Sequence, residues 1–169
     1  LKFYSPLKIG NVAVSEMTFK EDYYFENEDG SVKSYSPKPV RSNNRLTITP
    51  ADITFSSATV NVTPSVATDY YYFDVYEKAD LEGESDMAII KSLISEMNSL
   101  VGTYTADFVV SALGKKGAAS EIFEDLSSET DHVVIGFGIV ATENVVLATT
   151  DLFRKEFTTE QAPELDEAY

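Results

Sequence analysis

The sequence contains no cysteine, no tryptophan and a single histidine, and it has 13 lysine and arginine residues against 28 aspartates and glutamates. Without cysteine, the chain can form neither a disulfide framework nor a thiolate metal site. No apolar run approaches the roughly 18 residues that a transmembrane helix needs, so none is predicted. The formal net charge of -15 opposes attraction to phosphate backbones, and nucleic acid is therefore not expected as a partner.

The chain does contain enough apolar residues to form a core. Of its 169 residues, 43% are hydrophobic, including ten tyrosines and ten phenylalanines. A chain of this length is most simply one domain with an appendage. We interpret the excess of acidic residues as a source of solubility and self-repulsion rather than as a cation-binding feature. Leu1 is neither an initiator methionine nor part of a signal peptide, so we expect a processed or truncated product.

The first 45 residues differ in pattern from the rest of the chain. Tyr23–Glu26 and Ser31–Tyr35 resemble strands and flank Asn27–Gly30, whose Asp-Gly pair is typical of a β-hairpin. Residues 36–45 carry two prolines and three basic residues and indicate a linker. Because 45 residues are few for an independent core, we expect this segment to add strands to the main domain or to belong to a neighbouring one.

From residue 46 onward, the pattern predicts strands of two kinds. Leu46–Thr49 and Ala58–Thr63 alternate apolar and polar residues, which indicates strands with one buried face. Tyr70–Tyr76 and His132–Val140 are apolar on both faces. Another element should therefore cover the second face of the sheet that contains them. Two shorter strands are predicted near the end of the domain, at residues 145–148 and 153–159.

A helical insertion at about residues 85–114 is the predicted cover. Ser85 can cap a helix whose apolar residues recur at helical spacing, namely Met87, Ile90, Leu93, Ile94, Met97 and Leu100. Thr105–Leu113 indicates a second helix that ends at Gly114. We expect this pair of helices to pack against the sheet that contains Tyr70–Tyr76.

Three segments resemble a fibronectin type III-like, immunoglobulin-like sandwich of the kind found in secreted lipoproteins and cell-surface proteins of Bacteroides-type bacteria. They are Ser57–Pro64, Tyr70–Tyr76, and Leu126–His132 running into Gly136–Gly138. Glu156–Thr159 resembles the closing strand of such modules. The resemblance covers residues 46–159 and implies a mainly β fold, an antiparallel sandwich with a two-helix insertion packed on one sheet. Residues 1–45 then form an N-terminal segment and linker, and residues 160–169 an acidic tail.

The resemblance also implies a non-enzymatic structural or adhesion module that is secreted or held at the cell surface. Any membrane attachment would come from the lipid anchor of an outer-membrane lipoprotein, outside this chain. In related modules the turn before the penultimate strand usually reads Leu-x-Pro-x-Thr-x-Tyr, and the tyrosine hydroxyl bonds to nearby backbone. Here Ser128 stands at the proline position and His132 at the tyrosine position. We expect the imidazole of His132 to make a comparable hydrogen bond.

No motif in the sequence predicts catalysis, and we expect no catalytic residue, no cofactor and no metal. His132 enters an apolar strand, and no Gly-x-Ser-x-Gly turn supplies a nucleophile. Two carboxylates could serve glycoside hydrolysis, but among 28 acidic residues some pair will meet any distance by chance. Asp80–Asp86 resembles a calcium loop, yet Ser85 and Lys91 occupy the positions that need glycine and a carboxylate. We interpret that run as a solvated loop before a helix.

The aromatic residues of the predicted hairpin are the remaining candidates for ligand contact. Tyr23, Tyr24, Phe25 and Tyr35 could form an exposed strip that stacks on sugar rings or anchors a protein, or they could be core residues. Two functions follow. The preferred one is a spacer or protein-binding module, and the alternative is a carbohydrate-binding module that uses these rings. The expected partner is a protein or glycan at the cell surface.

Overall fold

The computed structural model describes residues 8–9, 12–13, 23–26, 32–36 and 40–164. The chain divides into two compact units, Leu1–Pro39 and Val40–Tyr169. The described elements of the second unit are β5 (Leu46–Ala51), β6 (Ala58–Pro64), β7 (Tyr71–Glu77), a 3-10 helix (Lys78–Leu81), α1 (Asp86–Ser99), α2 (Ala106–Leu113), β8 (Ala119–Phe123), β9 (Asp131–Thr142), β10 (Val145–Ala148) and β11 (Phe153–Thr158).

Two short antiparallel pairs are described in the first unit. β1 (Lys8–Ile9) pairs with β2 (Val12–Ala13), and β3 (Tyr23–Glu26) pairs with β4 (Val32–Ser36). The second pair confirms the antiparallel strands of the predicted hairpin, with a register shift between Phe25 and Glu26. The connecting turn lies outside the described residues. The side chains of this unit also lie outside the described part of the structure.

The second unit is mainly β, with two antiparallel sheets and two helices. The three-strand sheet has the order β5-β6-β8. The central sheet is built around β9, which pairs with β7 along one edge. β10 and β11 both pair antiparallel with β9, and together they occupy its other edge. At Gly138 the N–H donates to Thr150 Oγ1 and the C=O accepts from Thr149 N, on the edge that faces β10 and β11. The N–H of the next residue, Ile139, donates to the Tyr70 carbonyl on the β7 side.

The core between the two sheets comes from alternating residues. Strand alternation turns Leu46 and Ile48 of β5 and Val60 and Val62 of β6 toward the central sheet, and all four are buried. The central sheet contributes apolar side chains from three of its strands to the same cluster, namely Tyr71, Phe73, Val134 and Phe157. The predicted alternation of Leu46–Thr49 and Ala58–Thr63 is therefore confirmed.

The helices form a third layer on the other face of the central sheet. Ile90, Leu93 and Met97 of α1 are buried, at 7%, 8% and 3% exposure. They belong to one cluster with residues of β9, namely Val133, Ile135, Phe137 and Ile139. The predicted packing of a helical pair on this sheet is confirmed by these contacts.

Two of the periodic residues do not join this core. Met87 and Leu100 stand at the first turn and at the C-cap of α1, where they are 68% and 40% exposed. Ile89, which the spacing did not include, is buried.

Both helices begin at a capping residue. Ser85 Oγ accepts from Ala88 N at 3.1 Å, and Thr105 Oγ1 accepts from Phe108 N at 3.2 Å. α2 ends at Gly114, where a Cβ would lie 2.6 Å from the carbonyl oxygen of Val110.

Asn98 connects α1 to the free edge of β10. Its amide Nδ2 donates to the carbonyl of Val146 at 2.9 Å, and its Oδ1 accepts from the amide of Val146 at 2.8 Å. The side chain thus satisfies both backbone groups of one strand residue, as a neighbouring strand would.

No helix within the described residues is both long and apolar enough to cross a membrane.

Candidate functional site

His132 stands at the start of β9 and is 1% exposed. Its Nδ1 lies 2.9 Å from the carbonyl oxygen of Thr130, and because a carbonyl can only accept, Nδ1 carries the proton. The ring stacks on Phe157 with a centroid distance of 5.2 Å and an interplanar angle of 12°. Nε2 is buried and has no hydrogen-bond partner among the described residues. These contacts fit a structural corner.

Asp86, at the end of the acidic run Asp80–Asp86, makes a surface ion pair with Arg154. Arg154 places its Nη2 at 2.6 Å and its Nε at 2.8 Å from Asp86 Oδ1. Nearby, Lys78 Nζ lies 3.0 Å from Glu156 Oε1, and this hydrogen bond raises the pKa of Lys78. Within the described ranges, no group of three or more histidine or acidic residues could hold a metal ion.

A row of polar groups on β7 faces the helical layer. The Tyr72 hydroxyl donates to Asp74 Oδ2 at 3.1 Å, and Asp74 Oδ1 accepts from Val75 N at 2.8 Å. Burial, and next the negative charge of Asp74, raise the pKa of Tyr72. Burial is also the main cause of the raised pKa of Tyr76, followed by the charge of Asp74. Tyr71, on the opposite face, has its pKa raised by burial, and its hydroxyl donates to the Gly117 carbonyl at 2.7 Å.

Because of these raised pKa values, stability is expected to fall as pH rises above about 10. In that range the unfolded chain releases tyrosine protons that the folded chain keeps, so each such tyrosine lowers the free energy of unfolding by at most about 1.4 kcal/mol per pH unit, until its own folded pKa is reached. The contribution is fully present below pH 10 and is lost on the alkaline side. Urea unfolding from pH 8 to 11 should show a steeper loss for the wild type than for Tyr72→Phe. Equal slopes would contradict this prediction.

The predicted ligand-contact residues lie on β3 and β4. The register pairs Tyr24 with Tyr35 and Tyr23 with Ser36, and it pairs Phe25 with Ser34. The backbone therefore brings Tyr24 and Tyr35 directly opposite each other. The exposure of the four predicted rings lies outside the described part of the chain.

An aromatic pair that the sequence analysis did not single out is exposed at the start of α2. The rings of Tyr104 and Phe108 stack with a centroid distance of 5.1 Å, and they are 49% and 53% exposed. Tyr104 directly precedes the N-cap residue Thr105. Phe108 is the third residue of α2, and its N–H donates to Thr105 Oγ1, so the ring contact and the helix cap lie at the same place. The helix predicted at Thr105–Leu113 places both residues at this helix start, but its pattern does not signal that their rings are exposed.

A strap formed by residues 40–45 closes one end of the central sheet. Ser42 N donates to the Thr149 carbonyl at 2.9 Å, and Ser42 Oγ donates to Asp69 Oδ2 at 2.6 Å. Asn44 is 2% exposed, and its Oδ1 accepts from Val66 N at 2.9 Å. The sequence pattern predicts a linker at residues 36–45, whereas residues 42–45 make hydrogen bonds within the second unit.

The strap borders an open groove of about 620 Å3. Its walls are aliphatic, with Val66, Ile139 and Val140 among the lining residues, and its polar groups come from the strap and from the loop before β7. Two basic residues, Arg41 and Lys116, line it together with one acidic residue, Asp69. This volume lies within the range of roughly 300–1,000 Å3 that is usual for ligand pockets. We take the groove as the candidate functional site.

Comparison with known proteins gave no match among protein-family models, curated proteins or solved structures.

Proposed function

We propose that this chain is a non-enzymatic structural or adhesion module with an immunoglobulin-like sandwich, belonging to a secreted bacterial surface lipoprotein. The strand order supports the fold named in this proposal, while the role and the location rest on the sequence resemblance alone. In immunoglobulin-type sandwiches, strands A, B and E lie in one sheet and strands C, F and G in the other. On this assignment, β5, β6 and β8 would correspond to strands A, B and E, and β7, β9 and β10 with β11 would correspond to C, F and G. The two helices then stand between C and E.

The corner at the start of β9 supports the same assignment. In domains of this type, a tyrosine near the start of strand F bonds to backbone a few residues upstream. His132 occupies that place and bonds through Nδ1 to the carbonyl of Thr130, two residues upstream. Because this bond and the stack on Phe157 fix the imidazole in the interior, His132 is poorly placed to act as a general base.

Antibody labelling of the source bacterium tests the proposed location. An antibody raised against the chain is expected to label intact, non-permeabilised cells, and protease treatment of those cells should remove the signal. An antibody against a cytoplasmic enzyme serves as the control and should label only permeabilised cells. If the antibody against the chain behaves like this control, the proposal is wrong.

A second candidate is a carbohydrate-binding module that uses the hairpin aromatics. The pairing of Tyr24 with Tyr35 across β3 and β4 favours it, because directly opposite residues share one face of a hairpin. On a glycan array, Tyr24→Ala and Tyr35→Ala should each abolish binding that the wild type shows. Tyr104→Ala, which removes an exposed ring from the second unit, should leave binding unchanged. Equal binding by all variants would exclude the hairpin as the site.

A further inference from the structure

The residues that line the groove beside the strap have a net charge opposite in sign to that of the whole chain. Overall, 28 acidic residues face 13 lysines and arginines, whereas the groove is lined by Arg41 and Lys116 and by a single carboxylate, Asp69. That carboxylate already accepts a hydrogen bond of 2.6 Å from Ser42. The net charge of the lining is therefore positive in a protein of formal charge -15. Such a local reversal favours an anionic group at this place.

Both cations retain capacity for a ligand. Lys116 Nζ lies 4.4 Å from the centroid of the Tyr70 ring and makes no ion pair with the described residues. Arg41 makes one contact of 3.2 Å, from Nη2 to Asp151 Oδ1, and the two side chains are 63% and 86% exposed. An ion pair this exposed contributes little, and the guanidinium has five N–H donors in all. A carboxylate ligand could therefore be bound in a bidentate manner.

The rest of the groove suits a ligand that carries hydroxyl groups beside its anionic group. Asn43 of the strap and Thr68 are exposed and supply neutral hydrogen-bonding groups, and the aliphatic walls supply apolar contact. We propose that the groove binds a carboxylate-bearing sugar, with Arg41 and Lys116 on the carboxylate and the strap residues on the hydroxyls. This proposal names the class of ligand that the adhesion module proposed above would bind, and it rests on that proposed function. The open side of the groove leaves room for an oligosaccharide to continue beyond it.

Calorimetric titration of the full chain tests this proposal. The probes are oligosaccharides of galacturonate, glucuronate and mannuronate, each compared with its carboxyl-reduced, neutral counterpart. At least one acidic probe should bind, and its neutral counterpart should bind about tenfold more weakly or not at all. Arg41→Gln and Lys116→Gln should each lower the affinity by about tenfold. Lys91→Gln is the matched control, since it removes the same charge from an exposed position of α1.

The control separates a local site from a general effect of net charge. Lys91→Gln should leave the affinity within about twofold of the wild type, and all variants should keep the thermal midpoint of the wild type. Equal loss in Lys91→Gln, equal binding of the neutral counterparts, or no binding of any acidic probe would each overturn the inference. Surface labelling of intact cells together with no binding of acidic probes would leave the proposed function standing and remove only this ligand.

Discussion

Replacing Phe137 by alanine is expected to lower the free energy of unfolding by about 3–5 kcal/mol. The side chain is 0% exposed and lies in the cluster formed by β9 and the two helices. Its ring also contacts Tyr72, with a centroid distance of 6.0 Å. Alanine removes the buried ring and leaves a cavity that a three-layer arrangement cannot close without moving a helix. Urea unfolding at neutral pH measures the change.

Phe108→Ala provides the comparison for this prediction. It deletes the same atoms from a residue that is 53% exposed on α2. Its expected cost is below about 1 kcal/mol, because little apolar surface is returned to water. If both variants lost similar stability, the helices would not cover the central sheet in the way the structure describes.

The helical layer could be predicted because two strands carry apolar residues on both faces. Tyr71 and Phe73 face the three-strand sheet, and Tyr70, Tyr72 and Tyr76 pack against the helical cluster. Such a strand cannot face water on either side, so the sequence requires a third layer. The amphipathic spacing of Ile90, Leu93 and Met97, followed by the second predicted helix at Thr105–Leu113, then supplies nearby segments with a matching apolar face.

The position of α1 on the sheet could not be predicted in the same way. It depends on Asn98, whose amide bonds to Val146 across 48 positions of sequence. An asparagine in a helix carries no local signal for such a bond, because the same residue type commonly faces solvent. The step from β10 to β11 is similar, since the bonds of Thr149 and Thr150 to Gly138 join the step to another strand and leave no local pattern in the sequence.

The candidate site was beyond sequence reasoning for a related reason. Its charged residues, Arg41, Asp69 and Lys116, are far apart in sequence and form no motif. The prolines before the strap and the basic residues within it are typical of a linker. Its hydrogen bonds to Thr149, Asp69 and Val66 join residues that are distant in sequence, so composition gave no sign of them.

Replacing Gly138 by alanine is expected to cost about 2–3 kcal/mol. A Cβ at this position would collide with Thr149 Oγ1 and would lie 3.0 Å from Thr150 Cγ2. Neither threonine can withdraw easily, because Thr149 N donates to the Gly138 carbonyl and Gly138 N donates to Thr150 Oγ1, both at 2.8 Å. A glycine in the interior of a strand often marks the close approach of another part of the backbone. The contacts of Gly138 identify that part as the step between β10 and β11.

A double-mutant cycle with Thr149→Ala tests whether this step is the obstacle. Thr149→Ala removes Oγ1, so Gly138→Ala should cost at least about 1 kcal/mol less in that background than in the wild type. Gly136→Ala is the matched glycine control, because its Cβ would meet Leu46 Cδ1 at 3.1 Å and no atom of Thr149. Its cost should be unchanged by Thr149→Ala. Additive costs for Gly138→Ala and Thr149→Ala would mean that the β10–β11 step does not press on β9.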